Sequence, residues 1–475
     1  MTGRSFGAAG GLAFLEPRFS RFAHEIVRLG SGVYLRFGEG VAAVTVDGAA
    51  TLVEEFRRFF AGETRLIIAF RHPSVTDAPL LGNLFARRVP RLARRAGTPL
   101  GARSFVHFLY GRGVPVWAGR PVGWILPRLC AVPVYHRRAD SRGMNAVRAA
   151  AAAGRFPLAL APEGQVTYHN DTFGELEGGT GRIALWCRDD LHKAGCTEPV
   201  RLLPLSVAYH YPDTAADILP KVLREVAAAV GLESDLEIDA HGALDRTATY
   251  HYLMTLTAHL VAQLEGLYAP FLPAGTTTGG SEDPGALRAR IQAVCDAALR
   301  AGELVHHLPS SGSFLDRIFR LRDAGWRAMF RDDIERLSPL ERAHADTRAE
   351  EAKVATRHME LVDVLEYVDP GSIGPEAPMH RFIEHAVDLH DVINRMRGGT
   401  IANRLRVKGR HAVVTAGRAA SLDELVRGAS PAASRQEGVD RITGYIRSEF
   451  ERLIAQPTPG WPAPGSSRRR STRRA

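Results

Sequence analysis

The sequence predicts an α/β protein: a mixed, largely parallel sheet flanked by helices, followed by a mainly α-helical C-terminal region. Three observations predict it. Between Val41 and Tyr211, short apolar runs of strand length alternate with segments of helical periodicity. Beyond Pro212, apolar residues recur at spacings of three and four. The stretch "PAGTTTGGSEDPG" (273–285), rich in Gly, Pro, Ser and Thr, interrupts the helical part as a linker. The units expected are an N-terminal amphipathic segment (1–40), an α/β domain (41–272), the linker (273–285), a helical domain with no assigned role (286–456) and a disordered basic tail (457–475).

The elements follow in order. After Pro17, Phe19, Phe22, Ile26 and Leu29 recur at helical spacing while Arg18, Arg21, His24 and Arg28 take other faces. Such a helix either lies in a lipid interface or packs against the domain that follows. Strands are expected at 41–46, 64–70, 114–119, 130–137, 156–162 and 201–211, with helices at 50–62, 143–154 and 180–191. After the linker the chain reads as helix to about Gln456, and no internal repeat is visible.

Composition narrows the function classes. Across 475 residues, 45% apolar and 24% charged content is that of an ordinary globular chain of two or three units. Five of the charges behind the formal +9 are Arg468, Arg469, Arg470, Arg473 and Arg474, so the body is only mildly basic. That tail can bind an anionic lipid surface or nucleic acid, or simply solubilise the end. The aromatic and basic run 314–333 does not argue for nucleic acid, because Phe314, Ile318, Leu321, Trp326 and Phe330 read as one buried or lipid-facing stripe. Cys130, Cys187, Cys196 and Cys295 show no C-x-x-C spacing, which fits a reducing cytoplasm. No window approaches the ~20 apolar residues of a spanning helix, and "GAAGGLAFLEP" lacks a convincing cleavage signal. The expected location is cytoplasmic and peripheral, on the inner face of a membrane. Oligomeric state is not legible.

The chemistry concentrates at strand ends. In "FRHPSVTDAPLL" (70–81), His72 follows the strand by two residues and Asp77 stands at a helix start five positions on. A histidine that donates one ring N–H to a carboxylate keeps its other nitrogen free to take a proton. Alone, the pair reads as a helix N-cap beside an ordinary loop histidine. It is accompanied by Arg137 closing "CAVPVYHR", by Pro162-Glu163-Gly164 closing "FPLALAP", and by Pro204 in "LLPLSVAYHY".

These four blocks, in this order and each after an apolar strand, resemble the glycerolipid acyltransferases of the 1-acylglycerol-3-phosphate acyltransferase kind, with their H-x-x-x-x-D motif. The resemblance spans roughly Val41 to Tyr211. It implies that residues 41–272 form an acyltransferase domain, with His72 and Asp77 as catalytic residues and no cofactor. The donor is then an acyl thioester, acyl-CoA or acyl-carrier protein, and the acceptor a lipid hydroxyl at a peripheral membrane surface. His72 takes the acceptor's proton and Asp77 fixes the imidazole. Backbone N–H groups near the helix start meet the thioester oxygen, and Glu163 binds acceptor hydroxyls with Gly164 allowing close approach. The sequence departs from the family pattern where Arg71 replaces asparagine, Ala161 phenylalanine and Gln165-Val166 Thr-Arg. A phosphate on the acceptor then falls to Arg137, to Arg71 or Arg120, or to no residue. The rival function is a non-catalytic lipid-binding or scaffolding protein that retains the fold.

No metal is expected. Glu384, His385, His390 and Asp391 place their histidines five apart, which does not share one helical face, and the segment reads as a solvated helix surface. His306-His307 has no ligand-type neighbour in sequence, and "GGTG" (178–181) reads as a helix start.

Overall fold

The computed structural model describes residues 7–135, 140–212, 217–233, 245–274, 282–427 and 435–456. Arg137, most of the expected linker and the basic tail lie outside them.

The first half alternates strands and helices: β1 (Ala9–Gly10), α1 (Arg21–Val33), β2 (Val41–Asp47), α2 (Ala49–Phe60), β3 (Arg65–Phe70), α3 (Asp77–Asn83), α4 (Val89–Arg95), β4 (His107–Gly111), α5 (Val114–Ala118), α6 (Arg120–Arg128), β5 (Val132–Val134), α7 (Ser141–Ala153), β6 (Leu158–Leu160), α8 (Gly179–Lys193) and β7 (Val200–His210). Helices then dominate: α9 (Leu219–Val230), α10 (Arg246–Tyr268), α11 (Pro284–Val305), α12 (Phe314–Met329), α13 (Pro339–Leu365) and α14 (Met379–Met396), with β8 (Phe330–Arg331) pairing with β1. The chain ends with β9 (Arg410–Ala416), β10 (Ala420–Ser421), α15 (Leu422–Val426) and α16 (Arg435–Ala455).

Eight strands form one sheet in the order β2-β9-β7-β3-β6-β4-β5, with β10 alongside β7. All pairs are parallel except β7 with β9 and with β10, so the sheet is mixed and mostly parallel. Successive side chains of a strand point to opposite faces. Leu66, Ile68 and Phe70 therefore join one core, under α1, α2 and α3, while Ile67 and Ala69 join another, under α7, α8 and α16. Burial on both faces is why "LIIAF" is apolar without alternation. Pro204 sits in mid-β7 without breaking it, because on that side the pairing passes from β10 at Leu202 to β9 at Leu205. Its missing N–H falls in the gap.

Two expectations are corrected. Where 114–119 was expected as a strand, Val114–Ala118 is helical (α5), and the strand is the preceding His107–Gly111. Pro115 is tolerated in the first turn of a helix, where its N–H would be unpaired anyway, but would cost a bond in a strand ladder. Nor is 286–456 a separate helical domain. Strand β9 inserts between β2 and β7, and α16 covers the sheet. The helices α9 and α10, expected with the α/β domain, share one apolar core with α11 to α14.

Candidate active site

Strand β3 ends at Phe70, and the six residues that follow turn the chain into α3. Pro73 in the turn bars further ladder pairing. His72 Nδ1 donates to Asp77 Oδ2 at 2.7 Å, and the imidazole keeps 24% of its surface exposed while Asp77 is fully buried. Nε2 of His72 has no hydrogen-bond partner among the described residues, as a proton acceptor requires.

The carboxylate is fixed on both oxygens. Ser74 N–H donates to Oδ2 at 3.0 Å, and Tyr209 Oη donates to Oδ1 at 2.5 Å from the end of β7. Burial, together with the Asp77 charge beside it, pushes the Tyr209 hydroxyl's pKa well up, so it stays a donor. Tyr209 was not singled out in the sequence; the signal was a hydroxyl-bearing residue on an inward position of an otherwise apolar strand.

Glu163 stands behind the histidine, not at an open acceptor site. Its Oε1 accepts from His72 N–H at 2.8 Å and its Oε2 from Gly174 N–H at 3.2 Å. Burial raises its pKa, opposed by Arg71 and by these two donors. Gly164 adopts φ +71°, and a Cβ there would stand 3.3 Å from Phe319 Cζ of α12. A glycine is needed for the turn, and the neighbour it accommodates is the helical core, not a ligand.

Arg71 is fully buried. Its guanidinium donates to the carbonyls of His169, Asn170 and Thr172, so it clamps the 163–174 loop from inside and offers no free face to an acceptor phosphate. Arg120 is exposed at the start of α6 and makes no ion pair among the described residues. Arg137 lies outside them, between Tyr135 and Asp140, whose backbone and side chain meet at 3.1 Å.

Gln165 and Val166, the positions where the resembled pattern has Thr-Arg, belong to the helical core. Gln165 Nε2 donates to Tyr367 Oη at 2.7 Å, and Val166, 8% exposed, packs among the side chains of α9 to α14. Tyr168 lies under Arg404 at 4.2 Å, and Arg404 pairs in turn with Asp388 and Asp391. Glu384, His385 and Asp391 are buried, so their helix is not the solvated surface expected. Within the His72–Asp77 turn, the N–H groups of Ser74, Thr76 and Asp77 are taken by Asp77 Oδ2, Ser74 Oγ and Ser74 O. Val75 is the one residue of that turn whose N–H has no partner among the described residues.

No protein-family model matches the chain, and no curated protein matches it.

Proposed function

We propose that this chain transfers a fatty acyl group from an acyl thioester, acyl-CoA or an acyl-carrier protein, to a hydroxyl of a lysophospholipid or related lipid, with His72 as general base. The observation that carries the reading is the His72–Asp77 pair at 2.7 Å, one ring nitrogen held by a carboxylate and the other unpartnered on a partly open imidazole. In the reaction, Nε2 takes the acceptor's O–H proton as its oxygen bonds the thioester carbonyl carbon. The C–S bond then breaks, and the proton passes from Nε2 to the departing thiolate. Asp77, anchored by Tyr209 and Ser74, stabilises the intervening imidazolium. Glu163 and Arg71 act on position: one holds the His72 backbone, the other the loop that carries Gly174.

Work at a membrane surface, from the cytoplasmic side, belongs to the same reading. Phe22, Ile26, Leu29 and Val33 form an outward apolar stripe on α1, with Arg21 and Arg36 exposed beside it. No helix among the described residues is long and apolar enough to cross a membrane.

One observation favours the rival, a non-catalytic lipid-binding or scaffolding protein: the positions that resemble the family's acceptor-binding Thr-Arg are taken into the helical core at Gln165 and Val166. Thioester release, followed with acyl-CoA and acyl-carrier-protein donors against monoester, diester and uncharged lipid acceptors, separates the two. Acceptor-dependent release is expected, reduced about 10²–10⁴-fold in a folded His72→Ala variant. No release with any pair, or near-normal turnover by that variant, would reject the enzyme reading.

A further inference from the structure

The loop clamped by Arg71 also carries Asp171, and helix α14 brings His380 and Glu384, four residues apart on one helical face, up to it. One ligand-type atom from each of the three lies within 4.8 Å of the others. Asp171 Oδ2 and His380 Nε2 are 3.4 Å apart. Glu384 is only 2% exposed. One of its oxygens accepts from Asn170 Nδ2, while Oε2 is buried with no hydrogen-bond partner among the described residues. Asp171 Oδ1 is orphaned in the same way. A buried carboxylate oxygen left unpaired is costly, and here two converge with an imidazole. Arg381 reaches Asp171 Oδ2 with Nε at 2.8 Å and so accounts for neither orphan.

We propose that Asp171, His380 and Glu384 form a binding site for a divalent first-row metal ion, with Zn²⁺ as the best match. One imidazole and two carboxylates are a mixed donor set suited to such ions. Ligand bonds of about 2.0–2.2 Å hold donor atoms up to roughly 4 Å apart, so the cluster closes on an ion by small side-chain shifts. Of the histidines and acids on α14 that the sequence brought to notice, only Glu384 takes part. His385 meets Thr257 Oγ1 at 2.9 Å, His390 faces Glu225 at 3.4 Å, and Asp391 pairs with Arg404. The third ligand comes from 209 residues away from His380, which no spacing within the helix reveals. The bound ion would fasten the 163–174 loop to α14, and the inference does not depend on the acyltransferase reading.

The test uses the full chain, stripped with EDTA and titrated calorimetrically with Zn²⁺ alone, with bound metal counted by elemental analysis. One Zn²⁺ per chain is expected, with a rise in the thermal midpoint. Glu384→Gln, which keeps the side chain's shape, and His380→Ala should each weaken uptake by more than about 10-fold, a loss that even outer-shell changes at metal sites produce. His390→Ala, outside the cluster, should not. Failure of the unaltered chain to take up stoichiometric Zn²⁺ overturns the proposal. Uptake unchanged in both Glu384→Gln and His380→Ala overturns it equally, since the ion then sits elsewhere.

Discussion

At the scale of single residues, the His72–Asp77 pair was legible because its signal is local: a strand, a proline and a helix start within eight positions. The groups that orient it were not, because they arrive from elsewhere in the chain. Tyr209 is 132 residues from the carboxylate it donates to. Tyr209→Phe removes that donor and leaves a buried carboxyl oxygen one bond short, a loss of about 1–3 kcal/mol. Turnover should fall by roughly 10-fold, a step worth about 1.4 kcal/mol, with KM for the thioester little changed. Steady-state kinetics on the folded variant checks this, and an unaltered kcat would mean that Tyr209 serves packing alone. The arginines show the opposite failure. Arg71 was weighed as a phosphate contact by charge, but charge says nothing about burial, and Arg71 is fully buried. Introducing the arginine of the resembled pattern by Val166→Arg should not create a phosphate site. It would bury an unpaired guanidinium against α9 to α14, at a cost of several kcal/mol, and denaturant unfolding should show that loss.

At the scale of elements, five of the six expected strands stand where apolar runs of strand length pointed, and in inner strands such as β3 burial on both sheet faces leaves an uninterrupted signature. The sixth failed on Pro115, and β4 was missed because "HFLYG" carries a histidine and a glycine at its ends. That histidine has a use. His107 Nδ1 donates to the carbonyl of Cys130 at 2.9 Å, while Nε2 accepts from Phe156 N–H at 3.3 Å. Both bonds need the neutral ring, and burial lowers its pKa. In the unfolded chain the same group titrates near its ordinary value, about 6.5. The unfolded state therefore binds the extra proton first as pH falls. Stability from His107 is fully present above about pH 6.5 and is lost on acidification through the folded-state value, at up to about 1.4 kcal/mol per pH unit. Denaturant unfolding between pH 7 and 5 should show this slope, and His107→Gln, less stable at pH 7, should show a shallower one. An equal slope in the variant would assign the acid sensitivity to other groups.

For the whole molecule, the sequence conveyed the α/β class but misplaced its division, since a linker-like composition marks where the backbone is unconstrained and not where the cores separate. The cores separate by contact: β9 and α16 rejoin the sheet after the helices α9 to α14, and "RHAVVTA" alone, with its β-branched residues, hinted at it. A piece ending at residue 272 should therefore not fold. Among the described residues β2 pairs only with β9, and β7 would lose its antiparallel neighbours. Such exposed edges invite aggregation, so soluble, monomeric expression of residues 1–272 would contradict the single-sheet description. The N-terminal helix raises the remaining question of which way its apolar stripe points. Packing against the domain is done by Ala23, His24 and Ser31, and Phe19 edges onto Phe156 at 5.2 Å. The stripe itself faces outward, with Phe22 68%, Leu29 62% and, one turn beyond the helix, Phe37 76% exposed, and Trp124 of α6 adds to it beside Phe22 at 6.4 Å. Each large apolar side chain moved from water into a lipid interface stabilises by up to about 1.5–3 kcal/mol, and the exposed Arg21 and Arg36 attract anionic headgroups over a screening length of about 10 Å at 0.1 M salt. The full chain should then sediment with phosphatidylglycerol-containing vesicles, less so at high salt, and a Phe22→Ser, Leu29→Ser double variant should lose at least about 100-fold in affinity if each residue contributes the lower figure. If the double variant binds vesicles unchanged but shifts the oligomeric state measured by ultracentrifugation, the stripe meets a second copy of the chain, and the membrane side of the proposed function fails while its chemistry at His72 stands.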